Sequence, residues 1–224
     1  ILKNGEYHID GEKKLTERNA TIVYSGGDDV FIVGAWNEVI ELSIDLQEKF
    51  KKYTQGTLSI SSGIGIYECT YPIGAIANET GEMEAESKRM PEKDSVTFMD
   101  DGETHLINEL EICDGTYRWE ELYKSVLGEK YDVIQDFLGE SDERGMSFLY
   151  RMLELIRNQK EKINFARFVY LLSRLEPDKE GEKKEKYRKF SRKMYQWVQS
   201  EKDCRELKTA INLYAYMHRE KGAH

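Results

Sequence analysis

No run of about 18 apolar residues occurs anywhere in this sequence, so none of its helices is expected to span a membrane. Cysteine is scarce. Cys69, Cys113 and Cys204 lie far apart and are odd in number; no two have zinc-ligand spacing, and no disulfide framework is implied. All three read as buried spectators in a reducing cytoplasm. Positive charge is in deficit, with 33 Lys and Arg against 42 Asp and Glu, a formal net charge of −9. That deficit argues against broad, unaided nucleic-acid binding, which depends on neutralising phosphates. The opening residues, Ile1-Leu2-Lys3-Asn4-Gly5, carry neither an initiator Met nor a signal peptide. The chain is therefore expected to be a fragment or a cleaved piece.

What is present suffices for a core. The 224 residues are 39% hydrophobic and 33% charged, which suits one large or two small folded domains rather than a disordered chain. Residues 1–18 are polar and read as a loop. Ala20 to Ser25 is β-rich, Gly26-Gly27-Asp28-Asp29 follows, and Val30-Phe31-Ile32-Val33 is β-rich again, the signature of a hairpin. From Trp36 to Tyr53, Val39, Ser43, Leu46 and Phe50 recur on one helical face with Trp36 and Ile40 beside them. Thr57 to Tyr67 alternates as a strand, with Leu58, Ile60, Ser62, Ile64 and Ile66 on one side and Ser59, Ser61, Gly63 and Gly65 on the other. So little bulk on the second face implies close approach by a packed helix or a ligand. Pro72 opens a helix that runs toward Lys88, weakened midway by Gly81. Ser95 to Met99 reads as a strand, and residues 100–118 as a linker rich in turn signals.

From Trp119 the pattern changes. Trp119, Leu122, Tyr123 and Val126 space as a helix, as do Phe148, Met152, Leu155 and Ile156, and again Ile163, Phe165, Phe168, Val169 and Leu172. Pro177 and Gly181 separate a further helical pair near 185–200 and 203–219. The expected order is α+β over residues 1–118, then an all-α bundle of about five helices over 119–224. Within the bundle, Lys179, Lys183, Lys184, Lys186, Arg188, Lys189, Arg192 and Lys193 form a basic run. It reads first as a solvated helix face, and second as a contact for RNA or a neighbouring subunit.

The chemistry concentrates at the hairpin. Consecutive carboxylates at a tight turn can both address one pocket, which mid-strand neighbours cannot. Asp28 and Asp29 are hard oxygen donors that suit Mg²⁺, and Gly26 and Gly27 let the backbone approach a nucleoside triphosphate. The plainer reading is a hairpin whose Gly and Asp only satisfy turn geometry.

The run Tyr24-Ser25-Gly26-Gly27-Asp28-Asp29-Val30-Phe31-Ile32-Val33-Gly34 resembles the second palm of the large subunit of type III CRISPR effector complexes, subtype A (Csm complexes). Ser61-Ser62-Gly63-Ile64-Gly65-Ile66 resembles the next strand of that palm, and Glu79-Thr80-Gly81-Glu82-Met83-Glu84 with Lys88 its following helix. Trp119-Glu120-Glu121-Leu122, Ser147-Phe148-Leu149-Tyr150-Arg151-Met152-Leu153, Ile163-Asn164-Phe165-Ala166-Arg167 and Leu171-Leu172-Ser173-Arg174-Leu175-Glu176-Pro177 resemble its C-terminal helical domain. The resemblance implies a ferredoxin-like palm of the Gly-Gly-Asp-Asp cyclase/polymerase type, N-terminally incomplete, followed by the helical bundle.

It further implies synthesis of cyclic oligoadenylate from ATP when guide RNA pairs with target RNA. Asp28 and Asp29 would be the catalytic carboxylates and ligands to Mg²⁺ or Mn²⁺; Ser25, Gly26, Gly27 and Lys88 would bind the nucleotide. Implied partners are the small helical subunit, the guide-end-binding subunit, guide and target RNA, and the missing N-terminal part of the same subunit. The family's His-Asp nuclease motif is absent, since none of His8, His105, His218 and His224 precedes an Asp. Two other readings stand beside this one. A cyclase using GTP would carry Glu-Phe where Asp29-Val30 stand, and a non-catalytic scaffold would dock small helical subunits and guide RNA.

Overall fold

The computed structural model describes residues 17–99, 102–139, 143–157 and 162–219. All but the end of the loop expected over residues 1–18, together with His8 and His224, lies outside them. The chain forms two compact units that divide between Tyr123 and Lys124. No described helix is long and apolar enough to cross a membrane.

The first unit opens with the hairpin of β1 (Ala20–Gly26) and β2 (Asp29–Gly34), joined through Gly27 and Asp28. Gly27 has φ +63° while Asp28 does not enter positive φ, the pattern of a II′ turn, whose twist matches that of the flanking strands. A bulge between Ile22 and Tyr24 leaves Val23 as the extra residue on β1. Helix α1 (Trp36–Tyr53) follows. Its most buried positions include Ile40, Ile44 and Asp45, whereas the expected face of Val39, Ser43, Leu46 and Phe50 is only half-buried. The rotation has a polar cause. Arg18 is buried against α1, donating Nη2 to Asp45 Oδ2 and Nη1 to the Glu38 carbonyl at 3.4 Å. A buried carboxylate needs such a partner, so α1 turns Asp45 inward.

The second sheet is built from β3 (Ser62–Ile64), β4 (Ser95–Phe98) and β7 (Thr116–Arg118), with β3 parallel and β7 antiparallel to β4. Helix α2 (Ile73–Ser87) is the crossover that the parallel β3–β4 pair requires. The strand expected over 57–67 contracts to Ser62–Ile64 because its ladder partner β4 is only four residues long. The bare face of that strand receives a helix. A Cβ on Gly63 would sit 2.2 Å from Thr80 O and 2.6 Å from Glu84 N of α2. Val96, Phe98, Ile112 and Tyr117 fill the core, and Trp119 closes it by donating Nε1 to Ile60 O at 2.9 Å.

The linker expected over residues 100–118 is instead largely folded. Strands β5 (Thr104–Ile107) and β6 (Leu110–Cys113) pair antiparallel, and β7 joins the sheet. Their connecting residues, Asn108 and Glu109, have φ of 48° and 68°, so this turn lacks the glycine that would have marked it.

A short helix α3 (Trp119–Glu121) leads into a π-helical stretch, Leu122–Tyr131, inside which the two units divide. The second unit contains α4 (Asp132–Leu138), α5 (Glu143–Arg157), α6 (Lys162–Ser173), α7 (Glu182–Trp197) and α8 (Glu201–Arg219). Phe137 stacks on Phe190 with centroids 4.6 Å apart, and Leu149, Met152, Phe168, Met194, Leu207 and Ile211 complete the core. One buried ion pair crosses it, Lys130 Nζ to Glu206 Oε2 at 2.5 Å, with Trp197 beneath the ammonium at 5.1 Å.

Candidate functional site

The hairpin presents its two carboxylates at the turn. Asp28 occupies the second turn position, and Asp29, the first residue of β2, pairs with Gly26. Both are exposed. Phe31, Ile32 and Val33 farther along β2 are half-buried, so the strand is anchored away from the turn, whose residues are exposed. Ser25 is exposed and pairs with Val30. Gly26 lies under the ring of Tyr24, whose hydroxyl oxygen is 2.6 Å from where a Cβ would be. Gly27 has open space around it, but its positive φ strains any other residue.

Lys88 caps the C-terminus of α2, more than fifty residues on. Its Nζ lies 2.6 Å from Glu84 Oε1, and the ammonium is half exposed. Its pKa is raised above the ordinary lysine value by the Glu84 hydrogen bond first. Partial burial opposes the rise, and the charges of Glu84, Asp29 and Asp28 reinforce it. The structure therefore brings Lys88 into the electrostatic field of both aspartates. Glu84 is the member of this group that the sequence reading passed over. Its spacing one turn before Lys88 was a signal for it, since Glu at i and Lys at i+4 pair on a helix surface.

Two hard oxygen donors fit Mg²⁺ or Mn²⁺ in kind. Among the described residues, however, no group of three or more His, Cys, Asp or Glu side chains comes together. Among the described residues the carboxylate donors at this turn are Asp28 and Asp29. A cleft of about 740 Å³ lies elsewhere in the first unit, between Glu79, Glu82, Glu86 and Arg89 of α2 and Thr104 and Glu111 of the ribbon. None of its lining residues comes from the hairpin. Of the cysteines, Cys113 and Cys204 are buried as expected, but Cys69 is exposed. It sits in the turn between β3 and α2, where no core lies against it.

Comparison with known proteins extends this description. Residues 5–97 match the family model described as Cas10/Cmr2, second palm domain. Residues 135–220 match that of the CRISPR RNA silencing complex Cmr2 subunit, second helical domain. The chain is 40% identical over 213 residues to the CRISPR system single-strand-specific deoxyribonuclease Cas10/Csm1 (subtype III-A) of Mycobacterium tuberculosis (strain ATCC 25618 / H37Rv), covering 95% of this chain and 25% of that protein. It spans about a quarter of the length of the curated relatives it matches. A crystal structure of a Csm1–Csm4 cassette with one ATP has the same fold, at a TM-score of 0.58 and 24% identity over 94% of this chain and 29% of that one. Another, of the cassette with cA4, gives 0.53 at 23% identity over 93% and 29%.

Proposed function

The chain belongs to the Cas10/Csm1 family, the large subunit of subtype III-A CRISPR systems, and from that membership we propose that it carries half of a palm that joins ATP into cyclic oligoadenylate when guide RNA pairs with target RNA. The observation that carries the reading is the exposed Asp28–Asp29 pair at a two-residue turn, with the Lys88 ammonium in its field. Csm1–Csm4 cassettes of this fold that hold ATP and cA4 support it.

In the reaction the 3′-hydroxyl of one nucleotide attacks the α-phosphate of another. A P–O bond forms, the bond to pyrophosphate breaks, and the hydroxyl proton passes to solvent. Asp28 and Asp29 would hold Mg²⁺ or Mn²⁺, which when bound supplies positive charge against the triphosphate. Gly26 and Gly27 leave the backbone bare for the phosphates, and Ser25 flanks them with a hydroxyl. Lys88 gives a phosphate oxygen a charge-assisted hydrogen bond. The remainder of the subunit supplies the other nucleotide and the other walls of the site. The helical unit docks the small helical subunit and works beside the guide-end-binding subunit and the RNAs, in the cytoplasm.

The test is ATP turnover by the reconstituted complex, with and without target RNA, wild type against Asp28→Ala/Asp29→Ala. Target-dependent cyclic product should fall by about three orders of magnitude, because several kcal/mol of transition-state charge stabilisation go with the ligands. Assembly and guide-RNA binding should persist. One observation favours a second reading, a scaffold without catalysis: no third ligand joins the two aspartates among the described residues. Equal turnover in both proteins, or none in either, selects that scaffold. Preference for GTP over ATP selects a cyclase of another kind.

A further inference from the structure

Most of the cations that the sequence concentrates in and around α7 are already paired. In and around α7, Lys184 meets Glu176 and Glu180 at 3.5 and 2.9 Å, Lys186 meets Asp136 and Glu182 at 3.9 and 3.6 Å, and Arg188 meets Glu180 at 3.2 Å. Lys189 meets Asp136 at 3.4 Å, and Lys193 meets Glu129 at 2.6 Å. Five of the eight cations of the basic run are thus paired with carboxylates of their own unit, while among the described residues Lys179, Lys183 and Arg192 meet none.

Helix α6 differs. Its inner face buries Asn164, Phe168 and Leu172. Its outer face carries Arg167, Tyr170 and Arg174, all exposed, with Tyr170 63% accessible. Arg174 extends the last turn, its N–H donating to Tyr170 O at 3.3 Å. Arg167 reaches only Asn164 Oδ1, at 3.5 Å, and among the described residues neither guanidinium meets a carboxylate. A helix rises about 1.5 Å per residue, so the two guanidinium stems stand about 10 Å apart along the axis with the tyrosine ring between them.

We propose that this face of α6 is a contact surface for single-stranded RNA, with Tyr170 stacking an unpaired base and Arg167 and Arg174 holding the phosphates on either side. Guanidinium cannot lose its proton and forks onto phosphate oxygens. An exposed ring offers a stacking platform that only an unpaired base can use. In a chain of net charge −9, a stripe whose guanidinium groups meet no carboxylate among the described residues, with an aromatic ring between them, is where a polynucleotide can settle. The choice of RNA rests on the reading above of this chain as part of an RNA-guided complex; the geometry of the stripe does not.

The purified chain is titrated with a fluorescein-labelled RNA single strand of about a dozen nucleotides, and with DNA of the same sequence, by anisotropy across a salt series. RNA should bind. Arg167→Ala/Arg174→Ala should weaken binding about tenfold and lower the slope of log affinity against log salt by about 1.4, about 0.7 for each lost phosphate contact. Tyr170→Ala should weaken it about tenfold with the slope unchanged, and Tyr170→Phe should bind as wild type does. Lys189→Ala/Lys193→Ala, which removes cations already paired, should change nothing. Circular dichroism checks that each variant is folded. No RNA binding by wild type overturns the proposal, as does an equal loss in the α7 variant or DNA bound more tightly than RNA. Loss of a neighbouring subunit in the α6 variants with RNA affinity intact would make this face a protein contact and overturn it too. ATP turnover does not enter, so a failed synthase reading and a failed α6 surface give separate results.

Discussion

Lys88 Nζ stands 2.6 Å from Glu84 Oε1, one turn back along α2, and the same ammonium lies in the field of Asp29 and Asp28. The lysine is thus paired with a helix neighbour, and the hairpin carboxylates add a weaker, longer-range pull. An exposed i,i+4 pair contributes only about 0.3–0.5 kcal/mol, so a triphosphate can draw Lys88 away from Glu84 at little cost. In the reconstituted complex, Lys88→Ala should raise KM for ATP about tenfold, the loss of one hydrogen bond to a charged group, and leave kcat within about twofold. Steady-state kinetics over an ATP series checks it. A fall in kcat at unchanged KM would instead place Lys88 in the transition state.

Two glycines of the first unit should respond to alanine in opposite directions. At Gly63 the new Cβ meets Thr80 O at 2.2 Å and Glu84 N at 2.6 Å, both backbone atoms that cannot swing aside. Gly63→Ala should destabilise this unit by about 1–3 kcal/mol, the usual range for overpacking. Gly81, within α2, has nothing within 4 Å of its Cβ position. Gly81→Ala should stabilise by about 0.5–1 kcal/mol through helix propensity. Urea midpoints of both variants against wild type decide the matter.

The Lys130–Glu206 pair is 1% exposed at both partners. Glu206 also receives Lys202 at 3.6 Å, and Lys130 also reaches Asp203 at 2.9 Å. Glu206→Gln leaves a buried ammonium under-compensated and should cost about 3 kcal/mol or more. Lys130→Met with Glu206→Leu should recover most of that loss, since an apolar pair of similar volume carries no desolvation penalty. A thermal-unfolding double-mutant cycle measures the coupling.

Thiol reactivity should follow burial. Cys69 is exposed, whereas Cys204 is buried and its pKa is pushed up to about 12 by desolvation first and then by Asp203. At pH 8 iodoacetamide should label Cys69 in the folded protein, and Cys113 and Cys204 only after denaturation, as read by peptide mass spectrometry. The raised value also sets a sign. Both states hold the thiol proton below the unfolded pKa near 9, so the contribution to stability is intact there. It is lost as pH climbs from about 9 toward about 12. Tyr214, likewise pushed up to about 12 by burial, adds to that alkaline loss from about 10 upward.

Much of the fold could be read in advance. The hairpin was legible because Gly26-Gly27-Asp28-Asp29 sits between two β-rich runs, and α1 because its apolar residues recur with helical period over Trp36–Tyr53. The helices of the second unit were legible for the same reason. The ribbon of β5 and β6 was not, because Asn108 and Glu109 take positive φ without a glycine to announce the turn. At the site, the aspartates, Lys88 and its i,i+4 partner Glu84 stood in the sequence; that the charges of Asp28 and Asp29 act on Lys88, more than fifty residues on, needed the fold.

What the sequence by itself determined is everything set by neighbours within a turn or two: where helices and the hairpin begin and end, and which carboxylates sit at a tight turn. Only the tertiary structure decided which of those groups remain available. Lys186, Lys189 and Lys193 of α7 are matched by Asp136 and Glu129, which lie 50 or more residues earlier, while Arg167 and Arg174 of α6 meet no carboxylate among the described residues. Asp45 is buried because Arg18, 27 residues away, arrives to bond it. Charge pairing depends on distance in space, and no local period in the sequence encodes which distant group will come within about 4 Å.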